Sequence, residues 1–181
     1  MKLLTPELRF ALRANDIARR AHQAKGERFD PPPVVKLFNP LGAAAWLATE
    51  LAEDGDALFG LADLGFGCPE LGYFSLTEIA AVRFPYGLFI ERDLGFENKL
   101  PLSVWAEQSR RAGSILWAEA LIRRAVRMGA DPISPSPDPD KGSREGGTSR
   151  RHGDIVLEAP LQTPLRDWRS GRDAQPHDAL P

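Results

Sequence analysis

Hydrophobic and polar positions divide the first 128 residues into a succession of short elements. The first is a helix that Thr5 can cap and that Pro6 and Glu7 suit at its first turn. The helix should end near Gly26. Its predicted apolar face is made of Leu8, Leu12 and Ile17. The pattern then becomes one of short apolar runs between turns.

These runs predict strands. Residues 34–38 are short, β-branched and apolar. Residues 43–53 have a composition that a helix would also accept, but they lead into Asp54-Gly55, a strong signal for a hairpin. We therefore predict that residues 43–53 and 57–64 pair as a hairpin, with Leu47, Thr49 and Leu51 on one face.

The second half of the body repeats strands and helices. Residues 70–74 form a predicted strand, and Ser75 with Glu78 forms a capping box that opens a short helix. Residues 88–94 are a further strand, and a last helix begins at residues 101–103, with Gly113 as a break or kink. This order predicts an α+β fold with a small, mostly antiparallel sheet and peripheral helices.

Composition changes near Gly129. The 51 residues from 131 to 181 contain eight Pro and five Gly without a period, which is typical of disordered, low-complexity segments. We predict a single α+β domain over residues 1–128 and a disordered, Pro- and Gly-rich C-terminal tail over residues 129–181.

The charged and reactive residues exclude several classes of protein. Net charge is −2, so no global basic field draws the chain to nucleic acid or lipid. One Cys, Cys68, excludes an intramolecular disulfide, and the single His of the body, His22, argues against zinc and Cys/His chemistry. No apolar run is long enough to span a membrane. A cytoplasmic location without a membrane partner is the default expectation.

Basic residues flank an acidic middle. Residues 1–35 carry +3, residues 36–105 carry −6 and residues 106–181 carry +1. If the first and last helices lay side by side, their arginines would form a phosphate-binding stripe. The candidate nucleic-acid-binding residues are Arg9, Arg13, Arg123 and Arg124. The alternative is that these are ordinary solvated helix faces.

Four carboxylates at predicted strand ends are the candidate reactive groups: Asp63, Glu70, Glu91 and Asp93. If they converged, they would bind Mg²⁺ or Mn²⁺ through oxygen ligands, or a pair of them would serve as general acid and base. The alternative is a solvated acidic face.

Several separated blocks carry a family resemblance, which extends over residues 1–115. They are VVKLFNP at 34–40, GAAAWL at 42–47, FGLADLG at 59–65, PELGY at 69–73, IERDL at 90–94 and PLS at 101–103. In this order they resemble a bacterial family known as domain of unknown function 2958. The resemblance implies an accessory protein of bacterial mobile DNA, with no established activity, cofactor or catalytic residue to carry over.

These observations favour a non-catalytic module that binds a macromolecule, protein or nucleic acid, without a cofactor. One alternative is a divalent-metal hydrolase or nuclease that uses the acidic set with Mg²⁺ or Mn²⁺. The other is an acidic mimic of DNA that occupies a DNA-binding protein.

Overall fold

A computed structural model describes residues 3–129 of the 181-residue chain. It confirms the predicted α+β fold. The predicted disordered tail lies outside these residues, apart from Gly129. The elements are α1 (Pro6–Ala24), β1 (Val35–Phe38), β2 (Ala45–Leu51), β3 (Ala57–Asp63), β4 (Glu70–Ser75), α2 (Leu76–Ala81), β5 (Glu91–Arg92), α3 (Leu102–Ala112) and α4 (Ile115–Arg127).

The five strands form one antiparallel sheet in the order β4-β3-β2-β1-β5. β2 and β3 pair through the Asp54-Gly55 turn, which confirms the hairpin over the helical alternative. β5 covers only Glu91 and Arg92 of the predicted strand 88–94, and these two residues pair with Phe38 and Leu37 of β1. β1 follows closely on the run of prolines at residues 31–33, which have no N–H groups to donate, and the Val34 amide donates to the Ala48 carbonyl at 2.8 Å just before the strand begins.

β2 contains a bulge at Thr49. Ala48 pairs with Gly60 and Glu50 pairs with the next residue, Phe59, so Thr49 has no register partner. The Thr49 hydroxyl donates to the Phe59 carbonyl at 3.2 Å. The extra residue reverses the alternation, because Leu47 packs in one hydrophobic cluster and Leu51 in the other. The prediction that Leu47, Thr49 and Leu51 share one face is therefore wrong.

Each face of the sheet is covered by its own helices. On one face, Leu12 of α1 and Ile79 of α2 pack with Trp46. On the other, Trp105 of α3 and Ile122 of α4 complete the cluster around Leu47 and Leu61. The β2 and β3 strands are thus buried from both sides, as their nearly continuous apolar sequences require.

The inward face of α1 differs from its predicted apolar face. Ile17 is 60% exposed, and Asp16, four residues after the buried Leu12, is buried in its place. Side chains of α1 also bind β2 beyond the last β1–β2 pair. Asn15 donates to the Thr49 carbonyl at 2.9 Å, and Arg13 donates to the Leu51 carbonyl at 3.0 Å. α1 therefore satisfies main-chain groups that no strand reaches.

Local caps fix the helix ends. The Ser75 hydroxyl accepts from the Glu78 amide at 3.0 Å, as predicted. Asp56 completes this cap, because its carboxylate accepts from the Thr77 amide and from the Ser75 hydroxyl, each at 2.7 Å. Gly113 breaks the last helix in two with φ of 67°. Within residues 3–129, no helix combines the length and apolarity needed to cross a membrane.

Candidate functional site

Asp63 and Glu70 lie at the same end of the sheet but have different surroundings. The carboxylate of Asp63 is fully buried and accepts from two backbone amides, Gly65 at 2.8 Å and Ile115 at 2.9 Å. Asp63 therefore holds the first residue of α4 against the end of β3. Glu70 is exposed at the start of β4 and pairs in register with Ala62. Ala62 and Asp63 point to opposite faces, so Asp63 and Glu70 do as well.

Glu91 and Asp93 lie at the edge of the sheet that β5 forms. The register runs from Asp63 through Ala45 and Phe38 to Glu91. That path crosses three strand spacings, or about 14 Å. Asp93 accepts from Nζ of Lys36 at 3.0 Å. Among residues 3–129, no group of three or more His, Cys, Asp or Glu could hold a metal ion. The structure does not bring the four carboxylates together, and metal binding by them stays a prediction.

The four candidate arginines do not form one stripe. α1 and α4 cover opposite faces of the sheet, so the side-by-side arrangement is absent. Arg9 donates to the Gly55 carbonyl at 3.2 Å, and Arg13 binds Asp16 at 3.0 Å. Arg123 and Arg124 are exposed on α4, where Arg123 binds Glu119.

Asp16 and Glu50 belong to a charged network that was not predicted from the sequence. Burial raises the pKa of Asp16, but hydrogen bonds and charges from Arg20 and Arg19 outweigh it and hold that pKa below its usual value. Burial also raises the pKa of Glu50, and here it prevails over the neighbouring Arg19. Both carboxylates are buried and bind Arg19, so we assign them to the attachment of α1 on β2.

A concavity lies between α4 and the segment 96–100. It is a cleft of about 930 Å³. Trp105 lies at its base and is only 3% exposed. Its indole N–H donates to the Asn98 side chain at 2.9 Å, and its ring lies 5.9 Å from that of Phe96. The lining residues are Phe96, Glu97, Asn98, Lys99, Leu100, Trp105, Glu119, Ile122, Arg123, Val126 and Arg127.

A buried ion-pair network supports the α4 wall of this cleft. Nζ of Lys36 lies 2.5 Å from a carboxylate oxygen of Glu119 and 3.0 Å from Asp93. The second oxygen of Glu119 accepts from Arg123. The charge of Glu119 is therefore neutralised by its partners. The exposed charged residues Glu97, Lys99 and Arg127 also line the cleft, so these three add two cations and one carboxylate. The arrangement combines apolar walls with an excess of cations at the opening.

A family model described as "protein of unknown function (DUF2958)" matches residues 3–116, which is more than half of the chain. The chain belongs to the DUF2958 family. No curated protein and no solved structure gave a significant match. The resemblance that the sequence blocks predicted is thus confirmed.

The cleft combines a part shared with the DUF2958 model and a part beyond it. The wall at residues 96–105 lies inside the matched region, whereas the α4 residues from Glu119 to Arg127 follow its end. One signal in the sequence pointed to this site. Lys36 interrupts the apolar run of β1 and Glu119 interrupts that of α4, and buried charges of opposite sign need partners.

Proposed function

We propose that this DUF2958 protein is a non-catalytic binding module, a cytoplasmic accessory protein of bacterial mobile DNA. We further propose that it binds an acidic, apolar segment of a protein partner in the cleft between α4 and residues 96–100. The observation that carries this proposal is the combination of apolar walls and an excess of exposed cations, Lys99 and Arg127 against Glu97, in one concavity of about 930 Å³.

The lining of the cleft supports a polypeptide ligand. Its volume lies near the upper end of the range for small-molecule pockets, about 300–1,000 Å³, so the choice of a polypeptide rests on the lining side chains. Leu100, Ile122 and Val126 offer apolar contacts that would accept hydrophobic side chains. Lys99 and Arg127 lie at the same opening and would bind carboxylates by charge-assisted hydrogen bonds. A segment that carries both kinds of side chain is complementary to both features.

The same geometry favours protein over nucleic acid as the ligand. Single-stranded nucleic acid binds by stacking its bases on accessible aromatic faces. Trp105 is buried beneath the cleft and presents little of its ring. The arginines of α1 are on the opposite face of the sheet from α4, so the two helices do not offer phosphates a continuous basic track.

Fluorescence anisotropy with the full chain tests the proposal. The probes are labelled peptides that alternate Asp or Glu with Leu or Phe, equally long peptides with Lys and Arg in place of the acids, and single-stranded DNA. We expect only the acidic peptides to bind. The Lys99→Glu/Arg127→Glu variant should weaken their binding by at least about tenfold, because it replaces two attractive charges with repulsive ones.

The matched control is Lys25→Glu/Arg28→Glu, which makes the same change in net charge at exposed residues outside the cleft. It should leave the affinity within about twofold of the original protein. Equal weakening by both variants, preference for DNA, or failure of the acidic peptides to bind would overturn the proposal.

A further inference from the structure

β4 is an edge strand with an open side. It is first in the sheet order, and only β3 pairs with it among residues 3–129. Its six residues, Glu70–Ser75, include no Pro, Lys or Arg. These are the residues that edge strands commonly carry to prevent pairing with another chain. The outer N–H and C=O groups of β4 therefore form an unprotected template for a further strand.

The opposite edge of the sheet is too short to serve as such a template. β5 has only two residues, and Arg92 donates from its side chain to the Leu3 carbonyl at 3.3 Å. Asp93, which follows β5, is held by Lys36. A sheet with one open edge can add one neighbour and then stops growing. Pairing between two copies through that edge gives a closed two-fold dimer rather than a fibre.

We propose that β4 pairs antiparallel with β4 of a second copy, with the two-fold axis at Gly72. Leu71 and Tyr73 share one face of β4 and are 48% and 54% exposed. An axis at Gly72 places Leu71 opposite Tyr73 of the second copy, and Tyr73 opposite its Leu71. Cross-strand aromatic–aliphatic pairs of this kind stabilise sheets. The same two-fold pairing therefore covers both exposed residues, Leu71 and Tyr73.

The charges and space at β4 agree with this pairing. Glu70 lies opposite Phe74 of the second copy, and the two Glu70 residues are about 13 Å apart along the strands. A Cβ built at Gly72 meets nothing within 4 Å, so a side chain introduced there has room on that face of β4 among the described residues. The second copy fits better than an unrelated strand, because the exposed side chains of β4 complement one another. The proposal is independent of what occupies the cleft.

Sedimentation equilibrium and light scattering on the full chain test the proposal. We expect a mass twice the 19.9 kDa of one chain, with dissociation on dilution. The Leu71→Lys/Tyr73→Lys variant places lysines opposite one another and should be monomeric. The control, Leu94→Lys/Leu121→Lys, adds the same charge at exposed leucines elsewhere and should remain dimeric. Circular dichroism and urea unfolding verify that both variants are folded.

A crosslinking measurement keeps the test decisive if the lysine variant fails to fold. In a Cys68→Ser background, Gly72→Cys should form an intermolecular disulfide on mild oxidation, because the proposed axis brings the two residues together. Leu94→Cys in the same background should not. A chain that is monomeric at every concentration, a dimer that survives the two lysines, or equal crosslinking of both cysteine variants would overturn the proposal.

Discussion

Asp63 and Glu70 differ in role because one is buried and the other is not. The sequence places both residues at strand ends and gives no reason to expect different roles for them. In the fold, Asp63 is removed from solvent and serves two backbone amides, one of them 52 residues away at Ile115. Glu70 remains in water. The same carboxylate group thus stabilises the fold at one position and is only solvated at the other.

We expect Asp63→Ala to lower the free energy of unfolding by about 2–3 kcal/mol, because the buried amide of Ile115 and the partly buried amide of Gly65 lose their carboxylate acceptor. Glu70→Ala should change it by less than about 0.5 kcal/mol. Urea unfolding followed by circular dichroism measures both. Equal losses in the two variants would contradict the assignment of Asp63 to the attachment of α4.

At the scale of elements, close packing between β2 and β3 fixes the centre of the sheet. A Cβ at Gly60 would lie 1.9 Å from the Leu47 carbonyl oxygen and 2.9 Å from the Ala48 Cα, both of which belong to the backbone of β2. Backbone cannot move aside as a flexible side chain can. Gly72, the register partner of Gly60 on β4, faces open space instead.

We expect Gly60→Ala to cost more than about 3 kcal/mol of unfolding free energy, because β2 and β3 would have to separate. Gly72→Ala should change it by less than about 1 kcal/mol, since alanine also suits a strand better than glycine. Thermal and urea unfolding of the two variants, which add the same methyl group to paired positions, provide the comparison. A Gly60→Ala variant as stable as the original protein would contradict the close packing of β2 against β3.

At the scale of the whole molecule, one buried ion pair joins the beginning of the sheet to the last helix. Lys36 and Glu119 are 83 residues apart in sequence. Neither residue would be stable in a buried position without an oppositely charged partner, because an unpaired charge in an apolar surrounding is strongly unfavourable. The pair therefore ties the position of α4, and with it one wall of the cleft, to the register of β1.

A double-mutant cycle should detect this coupling. We expect Lys36→Met and Glu119→Leu each to destabilise the protein by about 2–3 kcal/mol, because each removes the buried partner of the other residue and leaves it only a more exposed one, Asp93 for Lys36 or Arg123 for Glu119. The double variant should be destabilised by less than the sum, since its site becomes apolar. Urea unfolding of the four proteins gives the coupling energy, and additive effects would argue against the pair. The same cycle at the exposed Glu107 and Arg111 is the control, with expected coupling below about 0.5 kcal/mol.

The predictions that the structure confirms rest on local signals. The Thr5 cap, the Asp54-Gly55 turn and the Ser75 cap each depend on residues within a few positions of one another, so the sequence displays them directly. The Thr49 bulge and the cleft could not be read in this way. They depend on register and on contacts between distant segments, such as Lys36 with Glu119. Likewise, the distances among the four acidic residues follow from strand order, which no single element specifies.

Thr49 also changes how this chain tolerates the loss or gain of a residue. In most of a protein surface, one residue more or less lengthens a loop and is absorbed there. Here the extra residue lies inside the most deeply buried strand and shifts its two-residue alternation of side chains by one position, so that Leu47 and Leu51 reach opposite layers. Removing it would exchange the two layers for the rest of β2, Glu50 and Leu51. The length of β2, rather than only its composition, is therefore part of the information that specifies the fold.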